Sequence, residues 1–210
     1  MNRSCSLSKT EINQKPMHVA PDPLLLGFSS PKTFTFFVMS FEQSLKGGHP
    51  NSLGNTLEVV DVVLGNTDKM EDLFHCYQSD DETVRLRTSN AFKRIFREKP
   101  VFFESWKKEF IEYVAEINQP SAKWTTIQIL NELFEYLDEK EKIQSSKICL
   151  KYLRNESDWI VINHSINFMR NHKELFDFND SSLMKLIKSY DSDQRKSISK
   201  NVGKLLKNLS

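Results

Sequence analysis

The chain has 210 residues with 29 basic and 28 acidic side chains, and a formal net charge of +1 excludes a global attraction to nucleic acid or to membranes. Hydrophobic residues make up 39% of the chain, which excludes disorder throughout and is enough for a folded core. Six glycines and seven prolines are few for this length, so tight turns must be scarce. The composition therefore disfavours a β-sandwich or β-barrel and predicts an all-α fold.

The first 38 residues hold four of the seven prolines and show neither helical nor strand periodicity. We expect residues 1–38 to be either a disordered extension or a stretch upstream of a true start at Met39, and both interpretations stay open. Their apolar runs are far shorter than the roughly 20 residues of a membrane-spanning helix, so we expect no membrane association. Residues 39–54 are interpreted as a lead-in segment and a loop with the sequence Lys-Gly-Gly-His-Pro-Asn at 46–51.

From residue 55 to residue 210, apolar residues recur at helical spacing in successive helix pairs. Gly65 is expected to end the first helix with a positive φ, and Pro120 to open a later one. Asp80 and Asp81 are expected to cap one of the later helices, and either Ser157 or Asp158 to cap another. The residues predicted to face inward include Leu57, Val60, Val63 and Leu64 in the first helix, a continuous face of Phe103, Trp106, Phe110, Val114 and Ile117, and Ile143 in the partner of the Pro120 helix.

The first helices of the pairs also align with one another. The pair Val84-Arg85 lies 38 positions before Ala122-Lys123, which lies 39 before Val161-Ile162, and a further shift of 33 reaches Gln194-Arg195. A repeat of this length, built from helix pairs too small to bury their own faces, is typical of an α-solenoid.

The stretch Asp81-x-x-Val84-Arg85-x-x-Thr88-x-x-Ala91-Phe92-x-x-Ile95 resembles the first-helix signature of HEAT repeats, an armadillo-type family. The resemblance covers roughly residues 55–210, although later repeats replace the Val-Arg pair. It implies an α/α superhelix of about four to five HEAT-like hairpins, with the second helices lining a concave surface. In most such proteins, the role is protein binding rather than catalysis.

The sequence lacks the motifs of common catalytic and nucleotide sites, and its histidines and cysteines lack the spacing of metal ligands. We therefore expect no enzymatic activity, no metal and no cofactor. Three cysteines far apart in the sequence, Cys5, Cys76 and Cys149, do not suggest a disulfide framework and favour a cytoplasmic location.

Lysines recur on the predicted second helices, which the HEAT resemblance places on the concave surface. Glutamates at 109, 112 and 116 interrupt the positive charge, which favours a mixed-charge protein interface over a polyanion groove. The sequence thus predicts a non-catalytic scaffold or adaptor for a protein or peptide partner. The candidate partner-binding residues are Lys107, Lys147, Lys151, Lys185 and Lys188.

Two alternatives remain open. Trp124 and Trp159 lie off the main apolar stripes, as would aromatic residues that stack on bases, whereas Trp106 is expected in the core. Because the glycosylases of DNA alkylation repair are also built on HEAT-like repeats, the alternative function is a DNA-binding relative of these enzymes. A regulatory partner of an enzyme or chromophore protein is a third option.

A lysine stripe on the last predicted helix has two interpretations as well. It is either a solvating cap of the array or a contact for an acidic or phosphate-bearing partner. Its members are Lys196, Lys200, Lys204 and Lys207.

Overall fold

The computed structural model describes residues 40–49 and 52–209, and the predicted segment 1–38 lies outside them. The described residues form α-helices joined by short loops and 3₁₀ turns, and they contain no strand, which confirms the all-α prediction. The α-helices are α1 (Phe41–Leu45), α2 (Thr56–Gly65), α3 (Lys69–His75), α4 (Glu82–Glu98), α5 (Lys107–Glu112), α6 (Pro120–Glu132), α7 (Glu139–Asn155), α8 (Trp159–Asn171), α9 (Ser181–Ser189) and α10 (Lys196–Lys207).

Aspartates begin several of these helices, because a carboxylate accepts hydrogen bonds from amides that have no partner within the helix. Asp81 accepts from the amide of Thr83 at 2.8 Å, and Asp158 accepts from the first turn of α8, as predicted. Asp138 forms a reciprocal capping box with Glu141 at the start of α7. Pro120 opens α6, also as predicted.

The helices α2, α4, α6, α8 and α10 form the first-helix row, in which each member packs against the next. The second helices α3, α5, α7 and α9 alternate with them along the chain. Fully buried side chains from successive pairs, such as Phe92, Ile127 and Phe168, contribute to one continuous core. Some consecutive helices contact each other as well, as α2 does α3 and α6 does α7.

Hydrogen bonds between successive pairs repeat with the predicted period. The Tyr152 hydroxyl donates to the carbonyl of Ala115 at 2.8 Å, and the Tyr190 hydroxyl donates to the carbonyl of Leu153 at 2.6 Å. Both the donors and the acceptors are therefore 38 residues apart. This spacing lies within the repeat length of 33 to 39 residues found in the sequence.

The aligned basic positions near the starts of three first helices all bond to segments that connect one helix pair to the next. Arg85 donates to Gln119 at 2.6 Å, Lys123 donates to Glu156 at 2.6 Å, and Arg195 donates to the carbonyl of Ser157 at 3.0 Å. Arg85 and Lys123 thus reach forward to the segment before the next first helix, whereas Arg195 reaches back to the segment before α8.

Several local predictions were wrong. Leu57 and Ile143 are each 50% exposed. Thr56 and Val59 in α2 and Cys149 in α7 are buried instead, and each lies one residue before a position that was predicted to face inward. The predicted continuous face of residues 103–117 is divided into a 3₁₀ turn, the short α5 and another 3₁₀ turn. The positive φ angles among the described glycines occur at Gly47, Gly48 and Gly54 and not at Gly65.

The lead-in segment 39–54 contains α1, which packs against α2, α3 and α4 and buries Leu45 completely. In the described part of the chain, the helices are too short or too polar to cross a membrane.

Candidate partner-binding surfaces

Two of the five candidate lysines are engaged in ion pairs between helices. The Lys107 Nζ lies 2.8 Å from Glu141 Oε2 and donates to the carbonyl of Tyr136 at 3.0 Å, and its side chain is only 23% exposed. Lys151 in α7 forms an ion pair with Glu116, which follows α5 in the preceding helix pair. These two ammonium groups already have anionic partners, so a bound protein would compete with existing contacts.

The other three candidates extend from α7 and α9. Lys147, Lys185 and Lys188 are exposed, and no carboxylate of the described residues forms an ion pair with them. An exposed ammonium group without an ion pair is free to contact an acidic group of another molecule. The structure therefore divides the predicted set into two internally paired and three available lysines.

A second surface, absent from the sequence prediction, runs along the first-helix row. Amide and imidazole groups of neighbouring helices bond to one another there, as in the contacts of Gln128 with His164 at 2.9 Å and of Asn131 with Asn171 at 3.0 Å. We name this surface the polar edge. Its members are Lys93, Arg97, Gln128, Asn131, Glu132, Asn163, His164, Arg170, Asn171, Asn201 and Lys204.

Charge on the polar edge is mainly positive. Arg97 forms a two-point contact with Glu132, with Nε 2.7 Å from Oε2. Arg170 bonds to Asn201 and, with Lys204, lines a shallow cavity of about 330 Å³. The signal for this surface is the recurrence of amide side chains about one repeat apart, which apolar periodicity does not detect.

His164 on the polar edge is held in its neutral form. Burial and the nearby Lys93 lower the pKa of His164 to about 4, although Glu132 acts in the opposite direction. Because one imidazole nitrogen contacts Gln128, the neutral ring is also fixed in orientation.

The guanidinium of Arg87 is the most deeply buried charge of the described residues, with 1% of Arg87 exposed. It donates to the carbonyls of Leu45, Gly47, His49 and Ser52 and to the Ser52 hydroxyl, at distances of 2.6 to 3.2 Å. A guanidinium has five N–H donors, and all five are used here. The sequence predicted a loop at 46–51 but did not identify Arg87 as the residue that bonds to it.

Gly54 is required by this arrangement. Its φ is +50°, and a Cβ atom at this position would lie 2.8 Å from Arg87 Cζ. Only glycine allows the backbone to approach the guanidinium so closely.

The tryptophans differ in environment. Trp106 packs against Phe74 and Phe92, with ring centroids 5.1 and 6.0 Å apart, as expected for a core residue. Trp124 is partly buried against the core, whereas Trp159 at the start of α8 is 46% exposed. Only Trp159 presents a largely open ring to solvent.

A cleft of about 440 Å³ lies between α1, α2 and α3. It is lined by Phe41 and Val62 together with the ion-paired Glu42 and Asp72. Burial raises the pKa of the adjacent Cys76 thiol to about 11, so this thiol is not an activated nucleophile. In the described part of the chain, histidine, cysteine and carboxylate side chains form no cluster that could hold a metal ion.

Comparison of the chain with protein-family models, with curated proteins and with solved structures finds no match.

Proposed function

We propose that the chain is a non-catalytic scaffold or adaptor of the HEAT-repeat type that binds a protein or peptide through the lysines of its second helices. The observation that carries the proposal is the repeated contact geometry, in which Tyr152 and Tyr190 make equivalent bonds 38 residues apart. Such contacts hold successive helix pairs in fixed relation, and a fixed array of pairs offers an extended surface to a partner.

Lys147, Lys185 and Lys188 are the side chains that would meet the partner, because they are exposed and lack internal ion pairs in the described part of the chain. Glu112 and Glu116 on the neighbouring pair are exposed but already paired with Lys108 and Lys151. The partner is therefore a protein that presents acidic groups to the three available lysines. The unpaired and buried thiols of Cys76 and Cys149 support a reducing, cytoplasmic setting.

The test is affinity capture with the full chain from extracts of its source, followed by quantitative mass spectrometry. Lys147→Glu with Lys188→Glu should reduce recovery of the partner by about tenfold, because like charges then face each other. The matched control is Arg94→Glu with Lys99→Glu, which reverses two exposed charges on and next to α4. Equal loss with both pairs would contradict the proposed surface.

DNA binding is the second candidate function, and the positive charge of the polar edge favours it. Lys93, Arg170 and Lys204 lie on three helices of the row, and basic side chains on neighbouring helices can contact successive phosphates of a nucleic acid. Fluorescence anisotropy with duplex DNA at increasing salt decides this candidate. A steep loss of affinity with salt, removed by Arg170→Ala with Lys204→Ala, would support it, and no binding at low salt would exclude it.

A further inference from the structure

The first-helix row ends at α2 on one side within the described residues. The face of α2 opposite its buried residues carries the exposed carboxylates of Glu58 and Asp61, with Leu57, which is 50% exposed, at its border. Within the described residues, these carboxylates form no ion pair. This face, which we call the acidic end, is thus apolar and negative at once.

The other outer member of the row is α10, which carries no acidic residue. Ile198, Val202 and Leu205 are fully buried against the preceding helices, and the opposite side is a lysine face. Gly203 lies beside these lysines, and a Cβ at this position would have no atom within 4 Å. We call this face the basic end, and its members are Lys196, Lys200, Gly203, Lys204 and Lys207.

We propose that the acidic end of one molecule binds the basic end of a second copy of the same chain, so that the first-helix rows of the two copies continue into each other. Opposite charges meet in this contact, and Leu57 packs on the aliphatic stems of the lysines and over the open space at Gly203. The proposal is independent of the surface formed by Lys147, Lys185 and Lys188.

Charge decides the orientation of the two copies. A symmetric contact between two basic ends would bring eight lysines together, and a contact between two acidic ends would oppose carboxylates. Only the head-to-tail contact pairs opposite signs. Such a contact is heterologous, so each bound pair retains one free end of each kind and association continues beyond the dimer unless a ring closes.

Sedimentation velocity of the full chain at low ionic strength tests the proposal. We expect the weight-average mass to rise with concentration past the mass of a dimer, and to return to the monomer at high salt because the charges are exposed and screened. Lys200→Glu with Lys204→Glu places acidic groups at both ends and should weaken association about tenfold or more. Glu58→Lys with Asp61→Lys makes both ends basic and should do the same.

Sedimentation velocity of a mixture of these two variants is the decisive experiment. The acidic-end variant is repelled by its own copies, and the basic-end variant, whose α10 face then carries two charges of each sign, no longer attracts them, but an equal mixture offers the native opposite charges and should associate again. The pair Arg94→Glu with Lys99→Glu changes the net charge by the same amount as the basic-end variant, lies at neither end, and should associate like the wild type. Circular dichroism and thermal melting confirm that each variant is folded.

Three results would overturn the proposal. The first is a wild-type chain that stays monomeric at all concentrations at low salt, and the second is a mixture that stays monomeric although both variants are folded. The third is a discrete dimer that persists in either variant, which would indicate a symmetric contact elsewhere.

Discussion

At the scale of single residues, Arg87 holds the loop between α1 and α2 through hydrogen bonds to backbone carbonyls. Lysine at this position would keep the charge, but its three donors radiate from one atom and cannot reach all five acceptors. We expect Arg87→Lys to lower the free energy of unfolding by about 2–4 kcal/mol, because buried carbonyls lose their partners. Urea denaturation measures this change.

The control for Arg87 is Arg94→Lys, because Arg94 lies in the same helix but is exposed. An exposed arginine without fixed partners should change the stability by less than about 0.5 kcal/mol. Equal effects of the two substitutions would show that the guanidinium contacts of Arg87 contribute little.

The lowered pKa of His164 predicts that the stability of the fold depends on pH. Its pKa is about 4 in the folded chain, against a reference of 6.5, so the unfolded chain binds more protons between these values. The folding free energy that depends on neutral His164 is therefore complete above about pH 6.5 and is lost as the pH falls towards 4. Because the ring is only partly buried, we expect a loss of about 1 kcal/mol between pH 7 and pH 5.

Urea denaturation at both pH values, with the wild type and with His164→Gln, measures this loss. The variant can still contact Gln128 but cannot be protonated, so its stability should depend less on pH. An unchanged pH dependence would assign the effect to other groups, such as His172, whose pKa burial also lowers.

At the scale of elements, the repeated tyrosine contacts can be compared directly. Tyr152→Phe leaves the buried carbonyl of Ala115 without its donor and should lower the free energy of unfolding by about 1–1.5 kcal/mol. Tyr190→Phe removes the equivalent bond in a more open position and should cost about half as much. Denaturant titration of both variants measures these differences.

Tyr113→Phe is the matched control, because Tyr113 is exposed and its hydroxyl forms no hydrogen bond within the described residues. Its stability should stay close to that of the wild type. A larger loss at Tyr113 than at Tyr152 would mean that the contact between successive pairs does not stabilise the array.

The elements also show what the sequence can predict. The start of α4 at Asp81 and the start of α6 at Pro120 followed from local rules, because caps and proline act within a few residues. Leu57 and Ile143 did not, because an apolar residue at the border of a stripe is buried or exposed according to the neighbouring helix. Such contacts are tertiary and have no local signature.

The candidate binding surfaces were likewise predicted only in part. The lysines of α7 and α9 were found as charges at helical spacing, but the sequence did not show that Lys107 and Lys151 are paired with Glu141 and Glu116. The polar edge and the environment of Arg87 were missed, because both depend on contacts between residues 31 to 42 positions apart. Contacts between residues so far apart in the sequence can be identified only once the arrangement of the helices is known.

At the scale of the whole molecule, the central claim is that the second helices, and not the polar edge, contact the protein partner. Acetylation footprinting of lysines by mass spectrometry tests this claim directly, with the full chain alone and with the partner recovered by capture. We predict slower acetylation of Lys147, Lys185 and Lys188 in the complex, while the exposed Lys99 keeps its rate. Unchanged rates at these three lysines, together with slower acetylation of Lys93 and Lys204, would contradict the account.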